Sequence, residues 1–113
     1  MRTIICGSRT ITNRKLLQHC ILKLGYDITT VLCGNAKGVD TMGKEYGIDN
    51  HIPVELYPAD WSKGKWAGFE RNITMVNNCD SVLAIWDGKS NGTKHTIEYA
   101  RKLGKPCRVF IYE

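Results

Sequence analysis

The side chains able to do chemistry in this chain gather in three short glycine-containing stretches. The first is Gly7-Ser8-Arg9, the second Gly34-Asn35-Ala36-Lys37-Gly38-Val39-Asp40, and the third Asp87-Gly88-Lys89-Ser90-Asn91-Gly92-Thr93. Their common chemistry is anion binding. Glycine lets a ligand approach the backbone, serine and threonine supply hydroxyls, and arginine offers a planar fork suited to phosphate or carboxylate. Lys37 is placed to meet a phosphate or to be solvated. Asp40 falls in the first turn of a predicted helix, where a carboxylate either bonds free amides or reaches a ligand. His95 has three readings: an acid or base, a phosphate contact, or an exposed helix residue. Glu98 reads as a general base or as a solvated helix-face residue. Asp60, Trp61 and Trp66 flank a basic loop, where an aromatic ring either stacks on a base or covers a sheet edge.

Several chemistries have no matching pattern. The order GK[ST] at a helix start is absent, so the third stretch is not a Walker A loop, and no GxGxxG fingerprint occurs. No bound cofactor is expected. The five cysteines, Cys6, Cys20, Cys33, Cys79 and Cys107, are odd in number and include no CxxC. They read as free thiols in a reducing, cytoplasmic setting, with no disulfide framework and no metal site. The net charge of +5 favours anionic partners. The positive residues are dispersed, without the block of five or six that a nucleic-acid arm would show, so nucleic acid is not the expected partner. No apolar run approaches the roughly 18 residues of a membrane helix. The opening MRTIICGSR reads as a strand rather than a signal peptide, and 113 residues suit one domain over residues 1–113.

The elements that must position these stretches follow from hydrophobic spacing. Residues 3–6, 30–33, 53–57, 81–86 and 109–112 read as strands; Pro53 fits a strand's first position. Between them, Leu16, Leu17, Cys20, Ile21 and Leu24 recur at helical spacing until Gly25, with Thr12 or Asn13 as N-cap. Gly38 to Tyr46 is a weaker helical pattern that Gly47 closes. Trp66 to Asn78 carries Phe69, Ile73, Met75 and Val76 on its apolar side. Thr93 to Leu103 turns Ile97, Ala100 and Leu103 inward, with Gly104 as cap and Pro106 blocking extension. The run Val82 to Trp86 is bare of charge, which predicts a central strand covered on both faces. Strict β-α alternation predicts an α/β three-layer sandwich, Rossmann-like, around a five-stranded parallel sheet in the order 3-2-1-4-5. The winding reverses between strands one and four, so a ligand belongs at their carboxyl ends, between Gly7–Arg9 and Asp87–Thr93.

Read together, GSR, CGNAKGVD, ADW with GKWAGFERNITM, VLAIW and DGKSNGTKHTI resemble the SLOG superfamily of Rossmann-like domains, and most closely its small YspA-like members. Two relatives imply different functions. The Lonely Guy family, once labelled lysine decarboxylases, are nucleoside monophosphate phosphoribohydrolases. Arg71, Met75, Asp80, Gly92 and Thr93 match their pattern; Asn72 stands in place of a lysine, Ser90-Asn91 interrupts the glycines, and Thr96 occupies the catalytic glutamate's position. Glu98 lies two residues on, roughly 200° around a helix. The DNA-processing protein A family binds single-stranded DNA, and its motifs resemble GSR and GNAKGVD. What the resemblance implies is a nucleotide or nucleotide-derived ligand, such as an NAD-like, ADP-ribose-like or cyclic molecule, bound by a sensor or sequestering protein that forms a homo-oligomer. The alternatives are a nucleotide hydrolase using Arg71 to stabilise charge with Asp87, His95 or Glu98 as acid or base, and single-stranded nucleic-acid binding. The expected contacts are Gly7, Ser8, Arg9, Gly34, Asn35, Lys37, Gly38, Asp40, Trp61, Arg71, Asn72, Asp87, Gly88, Ser90, Gly92, Thr93 and His95.

Overall fold

A computed structural model describes residues 1–112. The elements run β1 (Arg2–Gly7), α1 (Arg14–Leu22), β2 (Thr30–Cys33), α2 (Val39–Asp49), β3 (Val54–Leu56), a 3₁₀ turn (Trp61–Lys63), α3 (Ala67–Asn77), β4 (Ser81–Trp86), α4 (Asn91–Lys102) and β5 (Cys107–Ile111). The sheet is wholly parallel in the order β3-β2-β1-β4-β5, as the alternation predicts.

Side chains that alternate along a strand go to opposite faces, and here both faces are covered. Ile5, Val31, Cys33, Leu83 and Ile85 point to one side, where they meet Leu17 and Cys20 of α1 and Val39 and Met42 of α2. Ile4, Cys6, Leu32, Val82 and Ala84 point to the other, against Met75 and Val76 of α3 and Ile97 and Ala100 of α4. Hence Val82 to Ile85 is entirely inaccessible to solvent, and its unbroken apolar sequence follows from being buried on both sides. The polar side chains at the β1–β4 seam satisfy one another: the Thr3 and Ser81 hydroxyls lie 3.0 Å apart in the interior. Arg2 spans toward edge strand β3 and donates both Nη atoms to Glu55, at 2.8 and 2.7 Å.

Differences from the sequence expectation sit at element ends. Asn13, one of the two proposed caps, accepts from the Leu16 amide at 3.1 Å. Helix α4 starts at Asn91, with Ser90 as its cap residue, so Gly92 and Thr93 lie inside its first turn rather than in the loop. Strand β5 begins two residues early, at Cys107. Pro53 stands just ahead of β3, and its carbonyl accepts from the Val31 amide at 2.9 Å. Ile73 and Leu103, expected inside, are exposed, because the buried stripes of α3 and α4 run through Asn72, Met75 and Val76 and through Thr93, Thr96, Ile97 and Ala100.

Gly47 does not close α2, which continues to Asp49. The glycine is buried, and a Cβ there would run into Val54 Cγ2 and stand 3.3 Å from the Ile52 carbonyl. It is a contact point between helix and sheet. Helix propensity alone would make Gly47→Ala stabilising by about 1 kcal/mol. The close approach of β-branched Val54 reverses that sign. A net loss of roughly 1–2 kcal/mol is expected, read as a lowered urea midpoint.

Candidate functional site

A recess of about 340 Å³ opens at the carboxyl ends of β1 and β4. Its wall comes from the β1–α1 loop, the start of α2, the middle of α3, the β4–α4 loop and the first turns of α4. Among the expected contacts it brings together Gly7, Arg9, Asp40, Arg71, Asn72, Asp87, Ser90, Gly92 and Thr93. It adds Cys6, Thr10, Ala36, Met75, Asn91 and Thr96. Asn91 joins because α4 begins two residues before its hydrophobic period does. Ser-Asn ahead of an apolar-periodic run is a helix-start signal that could have found it.

The helix start supplies the donors. Ser90 makes no side-chain cap bond to α4. Its hydroxyl instead lies 3.2 Å from both Ser8 Oγ and Asp87 Oδ1. The first amides of an α-helix have no partner within the helix and carry the positive end of its dipole. Those of Asn91, Gly92 and Thr93 therefore open on the recess as an anion cradle.

Asp87 shapes the loop below them. Its Oδ1 accepts from the Lys89 amide at 2.8 Å and the Ser90 amide at 2.9 Å. These amide bonds hold the Asp87 carboxyl down at about 2. Asp87 is ionised and engaged, which suits an anchor better than an acid. Ser8 has the same kind of task. Its side chain is 1% exposed, its hydroxyl accepts from the Asp87 amide at 2.9 Å, and its carbonyl accepts from Ile11 and Val39. Gly38, at φ 75°, lies against the backbone of Ser8 and Arg9. Both residues serve the loop frame rather than the recess surface. Asn35, Lys37 and Gly88 are exposed outside the recess.

Arg71 is fixed by two bonds. Its Nε donates to Asn72 Oδ1 at 2.9 Å and its Nη1 to the Tyr57 carbonyl at 3.0 Å. Asn72, 4% exposed, turns its amide nitrogen to the Gly92 carbonyl at 3.2 Å and His95 Nδ1 at 3.3 Å. One hydrogen-bonded chain thus runs from the end of β3 through α3 to the first turn of α4. Gly34 lies beneath it, buried; a Cβ there would collide with Arg71 Nη1 and stand 2.7 Å from Asp40 Oδ2. Asp40 is 6% exposed. Burial pushes its carboxyl up to about 6, although Arg71, the Ala36 amide, Arg9 and the Gly7 amide all pull it down. Cys6 lies deeper, and burial raises its thiol well above the usual range, so it is no nucleophile.

The other acid–base candidates stand apart. His95 is outside the recess lining, with its ring 4.5 Å from that of Phe69, and burial lowers its pKa while Glu98 offsets part of the shift. Glu98 is exposed, 3.8 Å from Lys94 one helical turn back. Thr96 does line the recess, and its hydroxyl donates to the Gly92 carbonyl at 3.3 Å. Trp61 is 61% exposed with its indole over Gly68, and it lines no part of the recess.

Comparison with known proteins identifies relatives by sequence. A sequence model of the YspA, cpYpsA-related SLOG family matches residues 1–64. The Gene 61 protein of Mycobacterium phage D29 is 34% identical over 120 residues, covering 96% of this chain and 95% of the phage protein. YoqJ, an SPbeta prophage-derived protein of Bacillus subtilis strain 168, is 29% identical over 58 residues, covering 51% of this chain and 30% of that protein.

The raised Asp40 pKa sets a stability dependence. Its folded value lies above the ordinary value of 3.8, so the associated stability is full below about pH 4 and is lost as pH rises toward 6. Asp40→Asn, which cannot ionise, escapes that loss. Relative to wild type, the variant should gain about 2 kcal/mol on going from pH 4 to pH 7, measured by denaturant unfolding at each pH.

Proposed function

The chain belongs to the YspA, cpYpsA-related SLOG family, and from that premise we propose that it binds a nucleotide or nucleotide-derived small molecule, as a sensor or sequestering protein. The single observation that carries the reading is the uncapped start of α4, opening on a recess that also holds Arg9 and Arg71. Unpartnered helix amides, a threonine hydroxyl and two guanidinium groups are the donor set that a phosphate takes. Arg71 is already held by Asn72 and Tyr57, which lowers the ordering cost of binding. Cytoplasmic residence and a homo-oligomer belong to the same reading.

Binding has more support than cleavage. Of the catalytic candidates Arg71 and Asp87 line the recess, and Asp87 is held ionised by the loop amides; Glu98 pairs with Lys94 in solvent, and the ring of His95 packs against Phe69 of α3. The position that aligns with the hydrolases' glutamate is Thr96. Asp40 is the one carboxyl there that titrates near neutrality, so a chromatographic search for cleaved nucleotide remains the discriminating control.

Thermal shift with mononucleotides, cyclic nucleotides and ADP-ribose tests the reading. A ligand at 100 times its Kd adds about 2.7 kcal/mol, a Tm rise on the order of 10 °C. Asn91→Pro sharpens the test. Proline is tolerated at a first helical position, and Ser90, at φ −63° and ψ 118°, already has the backbone that precedes proline. The variant should keep its unliganded Tm and lose about tenfold in affinity with the missing amide. No shift with any nucleotide, or an unchanged affinity in Asn91→Pro, contradicts the proposal.

A further inference from the structure

A second recess, of about 240 Å³, lies on the far side of Arg71, between the end of β3 and the outer face of α3. Arg71 is the one residue that lines both recesses. Its guanidinium is a fixed partition, bonded through Nη1 to Tyr57 on the second side and through Nε to Asn72 on the first. The two spaces differ in chemistry. The first holds the helix amides, Arg9 and Asp40. The second has an aliphatic and aromatic wall of Tyr57, Pro58 and Ala67. Along the rim run groups that can exchange hydrogen bonds: Glu70 and Lys63, 3.9 Å apart, Thr74, and Asp60, whose Oδ1 accepts from Ser62.

We propose that this second recess takes the heterocyclic ring of the nucleotide whose phosphate sits at the α4 start, so that the ligand straddles Arg71. The inference rests on the phosphate reading of the first recess. The lining is mixed, with Tyr57, Pro58 and Ala67 offering a ring contact and hydrogen-bonding groups ranged around them, a combination that suits a planar heterocycle. The space is adequate, equal to the share of roughly eight liquid waters. A guanidinium between the two halves can hold a phosphate oxygen and lie along a ring face. The role expected for Trp61 thereby passes to Tyr57 and Pro58, because Trp61 rests on Gly68 outside both recesses.

Thr74 is the place to test it. It is exposed on α3 one turn beyond Arg71 and lines only the second recess. Thr74→Trp fills the space without touching the anion cradle. Pro58→Lys, at an exposed position, removes part of the apolar wall by a different route. Calorimetric titration would compare AMP, GMP, CMP and UMP with inorganic pyrophosphate. The wild type should bind at least one mononucleotide tighter than pyrophosphate. Both variants should lose tenfold or more for that nucleotide and stay within twofold for pyrophosphate. Nucleotide affinity unchanged in both variants overturns the ring site and leaves the phosphate site standing. Equal affinity for pyrophosphate and all four mononucleotides does the same. A parallel loss of pyrophosphate binding in both variants also overturns it, since the effect would then not belong to the ring. Binding of none of the five probes to the wild type overturns the ring site, and the phosphate reading is then decided by the wider thermal-shift set.

Discussion

Strands β1 and β4 are neighbours in the sheet, yet the chain leaves them toward opposite faces, and the site depends on how that divergence is held open. Ser8 is where it is held. Its amide donates to the Ile85 carbonyl at 3.1 Å, its hydroxyl accepts from Asp87, and its carbonyl accepts from the first turn of α2 and from Ile11. One small residue thus ties the ends of both strands to both loops. Gly7 beside it is equally constrained, since a Cβ there would run into the Ile85 carbonyl. A larger residue at either position would have to move the crevice itself.

On that frame the structure places charge unevenly. Arg71 and Asp40 both close over Gly34, one from α3 and one from α2, and neither is free in water. A carboxylate this buried is costly even with cations nearby, which is why its proton is retained to about pH 6. The arrangement has a consequence for any anion that enters. It competes with Asp40 for the field of Arg71 and Arg9, and favours the protonated carboxyl. At the start of α4, Asp87 gives its Oδ1 to the loop amides of Lys89 and Ser90, which leaves the amides of Asn91, Gly92 and Thr93 without a carboxylate partner.

How far the site could be read from the chain differs residue by residue. Arg9, Gly92 and Thr93 were legible because each is a phosphate-type donor beside glycine after an apolar strand. Asp40 was legible as a first-turn carboxylate, though not as a buried acid. Ser8 and Gly38 were legible as important but not in their task, since a residue that frames a loop and one that touches a ligand are the same types in the same places. Gly34 is the clearest case. Its glycine reads as loop flexibility, whereas the structure shows a space kept for Arg71, which lies 37 residues later in the chain. No local pattern could connect the two.

The sequence by itself determined the sheet order, because strict alternation with right-handed crossovers leaves few ways to wind five parallel strands. It also pointed to where the recess lies, since only one pair of adjacent strands reverses the winding. Tertiary structure decided what each polar side chain does there. Asn72 reaches Gly92 and His95, Arg71 reaches Tyr57, and Ser8 reaches Asp87, across separations of 20, 23, 14 and 79 residues. It also decided that Gly47 continues its helix and that Trp61 lies away from the recess. Local spacing encodes which face of an element is apolar. Which polar groups meet depends on how whole elements pack, and that is settled only when the core closes.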